Sequence, residues 1–235
     1  MSQNSSPIRR ATAADVGPAA ETLAAAFLDY PWTRWVIPED DYAARLLELQ
    51  RIYVQHATDH GITLVAADCS GVVALLPPDA PAPSDETLGR IVELHGDRIS
   101  RLGGEDTPGD AGEAGEAGQA GDAGHAGHAG GAGQSGDAGQ TSQASEASQA
   151  PAWRLETLGV HPDARGRGLG GDLIAAALQA ARAHGAAAVA LETSDPRNVA
   201  LYERHGFEIR KHQTAEDGPE TWDMVAHQIA EHSAE

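Results

Sequence analysis

Apolar and polar positions recur along this chain with two different periods. Between residues 13 and 27, Val16, Ala20, Leu23, Ala24 and Phe27 recur at the three- and four-residue spacings of one helical face. Thr12 stands before this segment as its N-cap, with Asp15 in the capping-box position. The same period returns over 40–56 (Leu46, Leu47, Leu49, Ile52, Tyr53) and over 84–102 (Leu88, Ile91, Val92, Leu94, Ile99), predicting two further helices. Short β-type runs lie at 8–11, 62–67 and 72–76. The last two flank Asp68-Cys69-Ser70-Gly71, which reads as a hairpin whose Gly71 relieves the turn. Pro77-Pro78 ends the second of these strands, because proline donates no ladder hydrogen bond.

After Pro151 the pattern predicts a strand at 153–160, a glycine turn, a helix at 170–184, a strand at 187–193, a short helix at 197–205, and strands at 207–210 and 221–226. Asp195-Pro196 is a start signal for the short helix and Gly206 a stop signal. Such interspersed elements predict a mixed α/β fold, one central sheet covered by helices. Tyr30-Pro31-Trp32-Thr33-Arg34-Trp35 interrupts the periodicity, since Pro31 disfavours helix at the residue before it. Three aromatics in an aromatic-poor chain predict a packed corner or a pocket wall there, with Trp35 in the core and Tyr30 divided between core and pocket.

Residues 103–150 obey neither period. They hold about half of the 27 glycines and no Val, Ile, Leu, Phe, Trp or Tyr, so they have nothing from which to build a core. Glycine recurs at every third position from Gly109 to Gly139, but the prolines that preorganise a collagen helix are missing, and disorder is the expectation. His125 and His128 lack preset metal geometry on such a chain and are read as solvated. One domain is therefore expected, split into 7–102 and 151–228 around an acidic Gly/Ala-rich insert at 103–150, with a tail at 229–235. The formal charge of -19 argues against sequence-independent nucleic-acid binding. The single cysteine, Cys69, excludes a disulfide framework and fits a reducing, cytoplasmic setting. No apolar run approaches a bilayer span, and Met1 to Pro7 lacks a secretory h-region, so no membrane partner is expected.

Candidate chemistry centres on Arg165-Gly166-Arg167-Gly168-Leu169-Gly170-Gly171. A strand, a basic glycine turn and a helix N-terminus in that order form an anion site: glycines let backbone N–H groups approach, and the helix dipole favours phosphate. Gly166, Gly168 and Gly171 also satisfy the dinucleotide pattern, with Glu192 about 20 residues on as a ribose-binding acid. Against that reading, His161-Pro162-Asp163-Ala164-Arg165 separates strand from glycine, two arginines flank Gly166, and no second βαβ half succeeds it.

The turn, with the segment after it, resembles the GNAT acetyltransferase superfamily. Arg165, Gly168 and Gly170 match its acetyl-CoA motif, Gln/Arg-x-x-Gly-x-Gly/Ala, and Asn198 with Tyr202 match its Asn and Tyr four residues apart on a short helix. A closer likeness, to the puromycin N-acetyltransferase branch, rests on 23–27 with 29–31, 151–153, 191–194, 196–198, 202–204 with 206–207, and 218–219 with 221–222. Ala200-Leu201, Arg154-Leu155-Glu156 and the insert depart from that branch.

The resemblance implies a single GNAT-like domain whose mostly antiparallel mixed sheet, with helices on both faces, splays at the cofactor site. It implies acetyl-CoA as acetyl donor, bound between strands 153–160 and 187–193. Backbone groups of Leu158, Gly159 and Val160 would meet the pantetheine arm, and the amides of Arg165 to Gly171 the pyrophosphate. Tyr202 would be the acid for the departing thiolate, and Asn198 would touch the cofactor arm or fix its helix. The backbone N–H of Leu158 is the candidate for the oxyanion. Glu192 is the candidate base, with Glu156 as competitor, and either could equally be a structural ion-pair partner. Tyr30 and Trp153 would wall the pocket of a small-molecule amine. His161 could join a proton path, although a residue before proline at a strand end is more often a turn. The oligomeric expectation is a monomer or homodimer.

Overall fold

The structure is a computed structural model that describes residues 7–102, 152–214 and 217–227. The insert at 103–150, with His125 and His128, and the tail at 229–235 lie outside the described residues. β1 (Ile8–Arg10) leads through a 3₁₀ turn into α1 (Val16–Phe27), α2 (Pro31–Val36) and α3 (Tyr42–His60). Then come β2 (Ile62–Ala66), β3 (Gly71–Leu76) and α4 (Asp85–His95); the helix expected over 84–102 stops at Gly96 (φ 53°), and a separate 3₁₀ segment takes up Gly96–Leu102. The second half is β4 (Trp153–Val160), α5 (Leu169–Ala183), β5 (Ala188–Thr193), α6 (Pro196–Glu203), β6 (Glu208–Thr214) and β7 (Glu220–His227).

These strands form one sheet in the order β1-β2-β3-β4-β5-β7-β6. Every neighbouring pair is antiparallel except β4–β5. β2 and β3 are buried along their whole length, as expected of strands covered on both faces. Alternation sends Leu64, Ala66, Val73 and Leu75 into a core beneath α5, with Leu173, Ile174 and Ala177. It sends Val65 and Val72 into a second core beneath α1, α3 and α4, with Leu23, Leu46, Leu49 and Ile91. At the edge, β6 is exposed almost throughout and carries Glu208, Arg210 and Lys211, charges that discourage edge-to-edge pairing.

Local signals explain most boundaries. Thr12 N–H donates to Asp15 Oδ2 at 2.8 Å, the reciprocal half of the capping box. Ser84 Oγ accepts from Thr87 N–H and starts α4. Two details differ from the sequence reading. The aromatic corner contains a helix, α2, because Pro31 occupies its first position, where the missing N–H and fixed φ cost nothing. In the β2–β3 turn the left-handed residue is Cys69 (φ 56°), held beside an Asp68 carboxylate that accepts from Ser70 N–H and Oγ–H. Gly71 serves packing instead: a Cβ there would lie 2.8 Å from Leu173 Cδ1 and 2.9 Å from Leu169 Cδ2.

Candidate active site

β4 and β5 pair only at Trp153↔Val189 and Arg154↔Ala190, then separate. On its other side β4 stays paired with β3 up to Val160. The register there passes from Leu75↔Leu155 to Ala74↔Thr157, so Glu156 is the extra residue of a bulge placed where the gap opens. His161 N–H donates to Ser70 O at 2.8 Å. Because hydrogen-bonded and non-bonded pairs alternate in an antiparallel ladder, Val160 and Leu158 turn their N–H and C=O away from β3 and into the gap. Arg165 Nε reaches Val160 O from that side at 3.3 Å.

The glycine loop closes the wide end of this gap. Gly166 (φ 76°) and Gly168 (φ 83°) are left-handed with open space around them, so backbone conformation, not crowding, demands glycine at both. This geometry aims the first N–H groups of α5, at Leu169, Gly170 and Gly171, out of the helix end without intrahelical partners. Arg165 Nη2 also donates to Ala26 O (3.0 Å), tying the loop to α1, while Arg167 Nη2 donates to Asp163 O (3.3 Å); both side chains are exposed. Gly159 works differently. A Cβ there would stand 2.7 Å from Leu23 Cδ2, so its glycine lets α1 close onto β4.

Tyr202 enters from α6, its ring edge-on to Phe207 (5.5 Å between centroids) in the core below α5. Burial, and secondarily Tyr30, pushes its phenol far above the ordinary tyrosine value, so it stays protonated. Asn198, one turn earlier, donates through Nδ2 to Thr193 Oγ1 at 3.3 Å. Of its two candidate roles, the observed contact is the one that fixes the helix to the end of β5. Tyr30 joins the same knot: its hydroxyl accepts from Ser194 N–H at 2.7 Å and bonds Thr193 Oγ1 at 3.0 Å. Burial raises the Tyr30 phenol as well.

Glu156 and Glu192 are both buried. Glu192 comes after Leu191, which points beneath α5, so alternation turns the carboxylate to the α1–α3 face, beyond the last β4–β5 pair. Glu156 forms an ion pair with Arg154 Nε, consistent with a structural share in its role. Trp153 packs on the α5 side, 5.9 Å from the His184 ring, whereas Tyr30 sits at the other end of β5 against the second core. The structure therefore does not bring Trp153 and Tyr30 together as two walls of one pocket. His161 caps the 3₁₀ turn over Pro162–Ala164, accepting from Asp163 N–H at 3.3 Å.

Thr193, Ser194 and Tyr53 are residues to which sequence reasoning gave no part. Thr193 and Ser194 carry part of the family likeness without a role of their own, and Tyr53 counts with the apolar face of α3. Only tertiary neighbours mark their hydroxyls as special.

Residues 126–207 match the model of the acetyltransferase (GNAT) family, a span that takes in the splay, the loop and α6. Among solved structures, the chain is similar to a Corynebacterium glutamicum protein described as histone acetyltransferase HPA2 and related acetyltransferase, at 21% identity and TM-score 0.60 over 95% of this chain and 97% of that one. It is likewise similar to a further acetyltransferase (21%, TM-score 0.52, covering 94% and 99%). A GCN5-related N-acetyltransferase from Rhodopseudomonas palustris aligns at 14% identity and TM-score 0.51 over 97% and 99%. The fold is thus that of GNAT acetyltransferases, an open seven-stranded mixed sheet with helices around it. Family match and fold together support an acetyl-CoA-dependent N-acetyltransferase. The gap fits that cofactor: free strand amides, a left-handed glycine loop and an uncapped helix end line one continuous edge. Among the described residues no helix is long and apolar enough to cross a membrane.

Proposed function

We propose that this protein transfers acetyl from acetyl-CoA to the primary amine of a small molecule, with puromycin or a similar aminonucleoside as the first acceptor to test. The observation that carries the reading is the gap between β4 and β5. Supporting it, β4 turns the backbone groups of Leu158 and Val160 into the gap and the left-handed glycines Gly166 and Gly168 stand in the loop after β4; Tyr202 is buried and protonated on the α5 side, and Glu156 and Glu192 are buried carboxylates of β4 and β5. The choice of puromycin rests on the sequence likeness at 23–27, 29–31, 151–153, 191–194, 196–198, 202–204, 206–207, 218–219 and 221–222; the setting we infer is cytoplasmic, as a monomer or homodimer.

Bound acetyl-CoA supplies the activated acetyl thioester. Leu158 N–H, turned into the gap, donates to the oxygen that gains negative charge, a contribution of about 2.7–4 kcal/mol where one such donor is removed from other enzymes. Glu192, or Glu156 at the bulge, takes the proton released when nitrogen bonds to carbon. Tyr202 Oη, kept protonated by burial, gives its proton to the leaving sulfur and regains one from solvent. The arginines and loop amides hold phosphate in register.

The test measures free CoA release with puromycin and acetyl-CoA, for the natural protein and for Tyr202→Phe. Release that depends on amine and falls about a hundredfold or more in the variant supports the assignment. Tight CoA binding without release for any amine in a broad panel would establish instead a GNAT-fold CoA-binding protein. Tight NAD binding would return the loop to the dinucleotide reading.

A further inference from the structure

Beside the β4 bulge lies a cavity of about 270 Å³, between α3, the segment 77–83 and the start of β4. Its walls are apolar, with Ile52, Pro78 and Pro81 among them, and its polar end is made by Arg154, Glu156 and Tyr53. Glu156 belongs to the bulge where β4 leaves β5, so this polar end adjoins the mouth of the acetyl-transfer gap. Tyr53 is the unexpected member. Its Oη is sealed from solvent and makes no hydrogen bond among the described residues. A buried hydroxyl without a partner costs about 1–3 kcal/mol, and such groups call for an explanation. Burial, with the Glu156 charge next in order, raises the Tyr53 phenol, so the hydroxyl keeps its proton and is available as a donor.

We infer that this cavity takes the amine-bearing end of the acceptor, and that on binding the Tyr53 hydroxyl, otherwise closed off from solvent, turns to donate a hydrogen bond to an oxygen close to the reacting amine. The inference rests on the acetyltransferase reading above and deepens it by naming an acceptor class: compact apolar amines with a carbonyl or ether oxygen near the nitrogen. The volume lies just below the roughly 300–1,000 Å³ usual for small-molecule sites, so one ring fills it. Proline and isoleucine walls favour a flat apolar group. Glu156 at the polar end is placed to accept a hydrogen from the amine, while Tyr53 distinguishes amines by what stands beside that nitrogen. A site built to hydrogen-bond a substrate group discriminates strongly against an analogue lacking it, since the protein group is then left unpaired.

Two probes differ in the oxygen: phenylalaninamide, and phenethylamine, which keeps the ring and amine but lacks the carbonyl; their difference in amine basicity cancels when the variant is compared with the natural protein. The natural protein should acetylate phenylalaninamide with kcat/KM roughly tenfold higher or more. In Tyr53→Phe the ratio of the two kcat/KM values should fall about tenfold from its value in the natural protein. Ala82→Phe, at the exposed rim, should raise KM for both amines and leave KM for acetyl-CoA unchanged. An unchanged ratio in Tyr53→Phe, or no preference in the natural protein, overturns the inference. So does a rise in acetyl-CoA KM alone in Ala82→Phe, which would assign the cavity to the donor. Acetylation of other amines but of neither probe defeats this inference and leaves the acetyltransferase reading standing. Absence of transfer to any amine defeats that reading first, and this one with it.

Discussion

Gly168→Ala tests the loop with little else disturbed. Gly168 has φ 83° and ψ -4°, and no heavy atom comes within 4 Å of where a Cβ would stand. The substitution therefore makes no clash, and its cost is that of holding an L-residue left-handed, about 1–2 kcal/mol. The loop is exposed, so the chain can relieve this strain locally by leaving the left-handed conformation. Phosphate binding must then restore it. A penalty of that size corresponds to a factor of about 5–30 in an equilibrium, so the apparent Kd for CoA should rise by that factor. At saturating acetyl-CoA, kcat should change by no more than about twofold, because the transferred group lies at the other end of the cofactor.

Calorimetric titration with CoA and steady-state rates over a range of acetyl-CoA measure both numbers. Gly168→Asn should fall between glycine and alanine, since asparagine tolerates the left-handed region better. Gly89→Ala is the control: it lies in α4, also with nothing within 4 Å and without positive φ, and should add about 0.5–1 kcal/mol of stability while leaving CoA affinity alone. Unchanged CoA affinity in Gly168→Ala, or an asparagine variant weaker than the alanine one, would refute the argument that backbone strain links this glycine to phosphate.

Three other outcomes are expected. Tyr202→Phe should lower kcat about a hundredfold or more with a smaller effect on acetyl-CoA KM, and the natural protein's rate should show no alkaline limb from this phenol, which burial keeps protonated; stopped-time CoA release across roughly pH 6–9.5 checks both. Gly159→Ala should destabilise by about 1–3 kcal/mol through overpacking against Leu23, seen as a lower urea midpoint, and the same substitution made in a Leu23→Ala background should cost less than it does in the natural chain. Asp15→Asn should lower Tm by about 5 °C at pH 7, because the carboxylate accepts from Arg9 Nη1 and Nη2 and from Thr12 N–H and Oγ–H. Those partners, Arg9 first, hold Asp15 far below its ordinary value. The natural protein's advantage is thus full above the unfolded pKa near 4 and shrinks as pH falls below it, which thermal melts from pH 7 to pH 3 monitor.

Most of the fold was legible from periodicity. α1, α3 and α5 each repeat apolar residues over several turns, and β2 and β3 are short β-branched runs bounded by turn residues, so length and pattern agreed. α2 was not, since six residues are too few to display a period and the signal lay in one proline used as a helix start. β6 runs to Thr214, well past its predicted end, because an exposed edge strand has no apolar alternation to read. At the site, the glycine loop was legible because left-handed backbone is written in residue type. The positions of the aromatics were not: Trp153 and Tyr30 have similar chemistry but face different cores.

The sequence by itself determined where the longer helices and most strands form, that the loop before α5 needs glycine for its backbone, and that a phosphate-bearing ligand suits the start of α5. Those properties are local: they depend on side chains within a few residues along the chain. Only the tertiary structure decided that β4 leaves β5 after Arg154, that Glu156 is the residue extruded at that point, and that Tyr53, far earlier in the chain, hides a hydroxyl with no partner among the described residues. A strand's registry and a hydroxyl's lack of partners depend on residues distant in sequence, so no reading of neighbours along the chain could reveal them.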